Sequence, residues 1–208
     1  MKFINSETGF LVKNLWFLYI TTDGGYNWQY HGNYRLSEIV FKNIDEGYLI
    51  IGGPNYFYKT TNGGVNWVIK YFNEYSEFKD LEVVNNTLYI AASYGGTIFK
   101  SINCGDNWTN ISVHNTFFTL KTIDFINLST GFTGGNKSGI LQTTNGGINW
   151  YENESFKKIL NSNNRDIKKI QFTDQNTGWV ITDTGFYKTT NAGDDWYYFP
   201  LNLNRTSN

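Results

Sequence analysis

The chain holds few residues with obvious chemical reach, and their spacing limits what they can do. Its only arginines are Arg35, Arg165 and Arg205. Three guanidinium forks converging on one carboxylate would hold it bidentately, but Arg205 falls in the terminal tail and leaves that arrangement incomplete. Paired carboxylates across a cleft, ~5–10 Å apart, would suit glycosidic bond cleavage. Asp80 with Asp124 is one such pair, and Asp183 with Asp166 or Glu74 is another. His31 and His114 lack metal-ligand spacing to each other or to Cys104, so neither a metal nor a cofactor is expected. Cys104 is the one cysteine, which excludes an internal disulfide. No His or Lys stands beside it in sequence to activate the thiol, so it reads as a tolerated turn substitution. No glycine-rich phosphate loop is present.

The elements that must position these groups are announced by a repeat. Five times the chain spells nearly the same eight residues, ending at Trp28, Trp67, Trp108, Trp150 and Trp196. The tryptophans lie 39, 41, 42 and 46 residues apart. A period near 40 residues with turn and strand chemistry predicts a β-propeller made from one repeated blade. Within the box, Asn-Gly or Asp-Gly supplies the positive φ angles of a tight turn. The side chain of Asp23, Asn62, Asn103, Asn145 or Asn191 is placed to accept backbone N–H groups. The tryptophan then covers the turn. On this reading each box is a self-contained structural clip between two strands, with no part in a ligand site.

A second element keeps phase with the box. An apolar residue precedes a Gly or its equivalent by six positions, in Phe3…Gly9, Phe41…Gly47, Leu81…Thr87, Phe125…Gly131 and Phe172…Gly178. The box Trp follows 18 to 21 positions later. Each repeat therefore reads as four short strands, a to d, rich in aromatic and β-branched residues and bounded by Gly/Asn turns. Strand a should line a central channel, with Lys2, Val40, Asp80, Asp124 and Gln171 as its inward ring. Phe156 to Leu160 is the one stretch that fits a helical turn. The expected organisation is a single all-β domain over 1–208, with repeats at about 1–36, 37–77, 78–118, 119–166 and 167–203. Five blades in a closed ring is the first reading; part of a larger ring, or an arc completed by another chain, is the alternative.

The pattern Ser/Thr-x-Asp-x-Gly-x-x-Trp resembles the Asp-box, or bacterial neuraminidase repeat, in all five copies. With the Gly-aromatic element upstream, the chain is most similar to the photosystem II assembly and stability factor group. Sialidases, large glucanases and sortilin-type receptors carry the same box. The resemblance implies a propeller whose boxes lie away from the binding face, and a non-enzymatic role holding a protein or glycan. A glycan-directed hydrolase without the arginine triad is the alternative.

Topology directs the search for a ligand site. The a–b turns and the boxes share one face, and the b–c loops and d-to-a linkers share the other. Variable loops on a rigid scaffold are where binding concentrates. The candidate ligand-binding side chains on that face are Arg35, Tyr56, Tyr94, His114, Lys137, Arg165 and Asp183. Aromatics are 18% and charged residues 17% of the chain, which marks a folded protein. The net charge of -1 argues against a nucleic-acid partner. No apolar run is long enough for a transmembrane helix. The stretch Met1–Gly9 lacks a leader pattern, so a cytoplasmic protein, or a secreted one without its leader, is expected.

Overall fold

The computed structural model describes residues 1–14, 16–53, 56–71, 76–112, 119–136, 139–160 and 166–199. They form a β-propeller of five four-stranded antiparallel blades. Blade 1 holds β1 (Lys2–Phe3), β2 (Gly9–Lys13), β3 (Phe17–Thr21) and β4 (Gln29–Asn33). Blade 2 holds β5 (Leu36–Phe41), β6 (Gly47–Ile51), β7 (Tyr56–Thr60) and β8 (Val68–Tyr71). Blade 3 holds β9 (Phe78–Val84), β10 (Thr87–Ala92), β11 (Ile98–Ser101) and β12 (Thr109–Asn110). Blade 4 holds β13 (Leu120–Phe125), β14 (Gly131–Gly135), β15 (Leu141–Thr143) and β16 (Tyr151–Glu152). Helix α1 (Glu154–Ile159) leads to blade 5, with β17 (Ile167–Phe172), β18 (Gly178–Thr182), β19 (Phe186–Thr189) and β20 (Tyr197–Phe199). Asn153 caps α1 by accepting from the Phe156 N–H at 2.9 Å, and its amide donates to Gly193 O of the last box.

The boxes repeat atom for atom. In blade 4 the Thr143 hydroxyl donates to Asn145 Oδ1 at 3.0 Å and accepts the Gly147 N–H at 2.9 Å. Asn145 Oδ1 also accepts the Asn149 N–H at 2.9 Å. The same bonds recur at Thr21/Asp23, Thr60/Asn62, Ser101/Asn103 and Thr189/Asn191. At Asp23 they draw the carboxyl pKa down to about 2, first through the Asn27 N–H, then the Asn27 and Thr21 side chains. The fourth box residue has a left-handed backbone, and its N–H donates to the a–b turn: Gly24 to Glu7 O, Gly63 to Asp45 O, Gly146 to Ser129 O. Cys104 and Ala192 hold that conformation without being glycine, at φ 56° and 58°.

The box is not self-contained. Its indole crosses to the innermost strand of its own blade, with Phe3–Trp28, Phe41–Trp67 and Phe125–Trp150 centroids all 6.0 Å apart. In blades 2 to 5 its second glycine receives a side chain from the preceding blade: a Cβ would lie 2.6 Å from Phe10 on Gly64, against Phe57 on Gly105, 2.5 Å from Ile111 on Gly147 and 2.6 Å from Phe132 on Gly193, whereas Gly25 of blade 1 meets Phe3 of its own blade. The boxes of blades 2 to 5 thus serve as sockets between blades. Isolated-hairpin reasoning misses this, because the knob comes from another blade. Stacked pairs Phe10–Phe41, Tyr89–Phe125 and Phe132–Phe172 complete three joints. Each is worth about 0.5–1.5 kcal/mol beyond its area burial. Among the described residues, apolar clusters join blades 1 and 2, 2 and 3, 3 and 4, and 4 and 5. Trp179 of blade 5 has the same strand position as those rings and rests half-buried on Phe199 and Lys188 of its own blade.

The innermost strands carry a β-bulge. The register slips between Leu36 and Glu38, Leu120 and Thr122, and Ile167 and Lys169. In blade 3 the slip falls opposite Ala91/Ala92. The extra residue lets two apolar side chains three apart enter the same inter-blade cluster, as Leu36 with Ile39 and Ile167 with Ile170 do. Of the two residues between them, the second is Glu38 in blade 2 and Lys169 in blade 5, and these two meet across the propeller at 3.6 Å.

Candidate functional site

The axis is polar and charged. Glu38, Asp80, Thr122 and Lys169 hold equivalent bulge positions on β5, β9, β13 and β17. Lys169 Nζ lies 2.8 and 2.9 Å from the two Asp80 oxygens and 3.6 Å from Glu38 Oε2. Asp80 Oδ2 also accepts the Ile123 N–H at 2.9 Å, and Oδ1 the Leu81 N–H at 3.2 Å. Thr122 Oγ1 accepts the Ile170 N–H, and Asp124 Oδ2 accepts the Phe172 N–H at 2.6 Å. Burial is the main force on the acids. It pushes Glu82 up to about 8, helped by the negative Asp124 and Asp80. Asp124 is raised to about 6 by burial, against the Phe172 N–H and Lys169, which favour its charge. Glu38 is raised by burial as well. Burial opposes the charge on Lys169, yet Asp80, Glu38 and Asp124 together hold its pKa above the ordinary value.

The inward ring differs from the expected one. Asp124 is opposite Phe132 and is close enough to Lys169 and Asp80 to feel both charges, which suits the inward place expected of it. In blade 3 that place, opposite the aromatic Tyr89, belongs to Glu82 rather than Asp80. A two-residue Asn85-Asn86 turn replaces the longer a–b turn of the other blades, so Val83 pairs Leu88 where Phe41 pairs Gly47. The six-residue spacing from Leu81 to Thr87 is thus out of phase, and Asp80 belongs to the deeper layer with Lys169. Val40 is buried, and Lys2 and Gln171 are exposed. A pattern visible in the sequence locates Glu38, Glu82 and Lys169: apolar, any, polar, apolar, polar, apolar. It runs through Leu36–Phe41, 78–83, Leu120–Phe125 and Ile167–Phe172, with Val40 as its one apolar exception.

The channel mouth lies on the face opposite the boxes. In blades 2 to 5 the residue before strand a is tied to the b–c loop by one backbone bond: Gly52 N to Arg35 O, Ser93 N to Glu77 O, Asn136 N to Thr119 O and Asp183 N to Asp166 O. Side chains around this rim alternate in charge. Lys79 meets Glu77 at 2.8 Å, and Lys121 and Lys168 meet Asp166 at 3.2 and 3.1 Å. Arg35 is exposed, with its guanidinium carbon 5.9 Å from the centroid of Trp16, itself 53% exposed. Arg35 also helps hold Glu77 below its ordinary pKa, after the larger effect of Lys79. Tyr34, Tyr58 and Tyr56 continue the aromatic surface, with centroid distances of 5.6 and 6.5 Å.

Of the candidate ligand residues, Arg35, Tyr56 and Asp183 fall on or beside this rim. Tyr94 is exposed on the blade 3 b–c loop, where its carbonyl accepts from Thr97. His114, Lys137, Arg165 and Glu74 lie outside the described residues. Both oxygens of Asp80 are engaged by an ammonium and two amides, a structural use of the carboxylate. Cys104 has a lysine neighbour after all, with Lys42 Nζ 3.8 Å from Sγ. The two residues are 62 positions apart, beyond the reach of local reasoning. Among the described residues, no group of three His, Cys, Asp or Glu is arranged to hold a metal, and no helix is long and apolar enough to cross a membrane.

Comparison with known proteins adds to this geometry. The chain is 23% identical over 173 residues to a photosystem II assembly lipoprotein, Ycf48, of Nostoc sp. (strain PCC 7120), covering 81% of this chain and 50% of that protein. It thus spans about half the length of the curated relatives it matches. Among solved structures it is similar to a Niastella koreensis GH74 enzyme, with a TM-score of 0.74 and 17% identity over 93% of this chain and 36% of that one. It is also similar to a YCF48 bound to D1 peptide, with a TM-score of 0.52 and 19% identity over 94% and 78% of the two chains. At these identities the structural likenesses establish the propeller fold. The model of one family matches residues 1–117 and 102–205. The chain belongs to that family, described as photosynthesis system II assembly factor YCF48.

Proposed function

We propose that this chain is a non-enzymatic propeller that holds an extended segment of a partner protein at the mouth of its axial channel. The observation that carries the reading is the rim itself, where an exposed Arg35–Trp16 pair stands beside the Glu77–Lys79 ion pair and a run of tyrosines. Arg, Trp and Tyr are the residues on which interface energy concentrates, and an exposed guanidinium over an indole offers both a flat apolar surface and hydrogen-bond donors. Family membership supports an assembly-factor-like role. A related propeller has been seen bound to D1 peptide, which supports a polypeptide as the ligand class.

The test is fluorescence anisotropy with labelled peptides, including a D1 peptide, against the intact chain and Arg35→Ala. Loss of a central arginine contact is expected to weaken binding by about 1–2 kcal/mol, or roughly 5- to 30-fold. Equal affinity of both proteins for every peptide would remove the rim from the site. Release of reducing sugar from a polysaccharide, lost on Asp124→Asn, would replace the reading with a hydrolase.

A further inference from the structure

Blades 2 and 3 place the same two polar side chains in the same corner, and only blade 2 meets them with a carboxylate. In blade 2 the pair is Tyr48 on β6 and Lys59 on β7. In blade 3 it is Tyr89 on β10 and Lys100 on β11. Both tyrosines are fully buried. Each lysine stands over the ring of its partner, 5.7 and 5.3 Å from the centroid. Two residues before Tyr48 is Glu46, and one of its oxygens accepts from Tyr48 Oη at 2.7 Å and from Lys59 Nζ at 2.9 Å. Its other oxygen takes Lys42 Nζ at 2.7 Å.

Two residues before Tyr89 is Thr87, whose side chain is too short to bring an oxygen to that place. The Tyr89 hydroxyl is buried and has no hydrogen-bond partner among the described residues. Burial pushes its pKa up to about 12. Lys100 Nζ turns instead to a neutral acceptor, Gly146 O, at 2.8 Å. Burial lowers the Lys100 pKa, and no carboxylate among the described residues opposes it. The adjoining box makes room. Where blade 3 meets blade 2, its fourth box residue is Cys104, with Sγ 3.8 Å from Lys42 Nζ. Where blade 4 meets blade 3, that residue is Gly146. A Cβ there would lie 3.2 Å from Lys100 Nζ and 3.7 Å from Tyr89 Oη. A carboxyl and a thiol side chain in one joint thus give way to a hydroxyl and a hydrogen in the next.

An unpaired buried hydroxyl and a desolvated ammonium are both costly, and one negatively charged oxygen satisfies the two together. We propose that Tyr89 and Lys100 bind the carboxylate of a small organic acid at the seam between blades 3 and 4. One carboxylate oxygen accepts from Tyr89 Oη and Lys100 Nζ, as Glu46 does in blade 2. The remainder of the acid leaves past Lys100, which is half-buried and forms the open wall of the corner. The site lies beside a box, on the face opposite the rim, so it is independent of the proposed function.

The probe is sodium acetate. Thermal unfolding of the intact chain is followed in acetate and in sodium chloride at matched ionic strength. At about ten times its dissociation constant, acetate is expected to raise the midpoint by about 3–5 °C over chloride, along a saturating curve. Tyr89→Phe should fold normally, since Phe10 and Phe132 hold the same strand position in blades 1 and 4, and should lose the response. Thr87→Glu supplies a carboxylate where Glu46 has one, so its midpoint should start higher in chloride and ignore acetate. A response that survives either substitution, or an equal rise in chloride, overturns the inference by reducing it to a general salt effect. No rise in the wild-type chain also overturns it, and leaves water as the partner of the Tyr89 hydroxyl.

Discussion

Replacing Glu82 by glutamine tests whether the channel is a stressed acidic core. In the folded chain the Glu82 carboxyl titrates near 8, against an ordinary value of 4.5, because burial and the neighbouring Asp124 and Asp80 disfavour its charge. The native state therefore keeps a proton that the unfolded chain releases, and stability falls as pH rises from about 4.5 to about 8. At about 1.4 kcal/mol per tenfold change in proton activity, the whole effect is about 5 kcal/mol. Between about pH 5 and pH 7 it amounts to about 2.5 kcal/mol. Asp124, raised from 3.8 to about 6, acts with the same sign and adds about 1.3 kcal/mol over that interval. Urea denaturation followed by tryptophan fluorescence, repeated across this pH range, measures both. The wild-type chain should lose about 3.8 kcal/mol from pH 5 to 7 through these two groups and Glu82→Gln only about 1.3 kcal/mol. Parallel pH curves for the two proteins would refute the argument, since they would mean that Glu82 ionises as freely when folded as when unfolded.

Three further substitutions probe other parts of the design. Lys169→Met leaves the buried Asp80 without its ammonium and should destabilise by about 3–5 kcal/mol, with the loss in urea midpoint growing toward alkaline pH. Thr143→Val removes the hydroxyl that accepts the buried Gly147 N–H; a cost of about 1–3 kcal/mol is expected, while the exposed Ile148→Thr in the same box should leave the thermal midpoint nearly unchanged. Gly131→Ala would place a Cβ 2.5 Å from the Phe125 ring, so calorimetry should show about 3 kcal/mol or more of destabilisation, because that ring is held between Tyr89 and Trp150.

The aromatic side of the repeat was readable from the chain alone. Thr, Asn/Asp, Gly and Trp at fixed offsets form a turn whose hydrogen bonds are all local, so the five boxes and the hairpins joining strands c and d follow from sequence. The helical turn after Glu152 and the separation of the two faces follow in the same way. The shared apolar–any–polar–apolar–polar–apolar pattern of the inner strands was also present in the sequence and would have placed Glu82 on the axis. The six-residue Leu81…Thr87 spacing concealed it, because the short Asn85-Asn86 turn leaves the same count with a different register.

What the sequence by itself determined is therefore periodic and local: the blade, its turns, the number of repeats and the face on which loops vary. The tertiary structure decided everything that depends on residues from different blades meeting. It turned the boxes of blades 2 to 5 from clips into sockets for the preceding blade and put Lys42 beside Cys104. It gathered Glu38, Asp80, Glu82 and Asp124 around Lys169. These contacts join residues roughly 40 to 130 positions apart on strands that repeat with nearly the same pattern. Which charges converge is set by the bulge and the turn length in each blade, and those act only once the blades are packed around an axis.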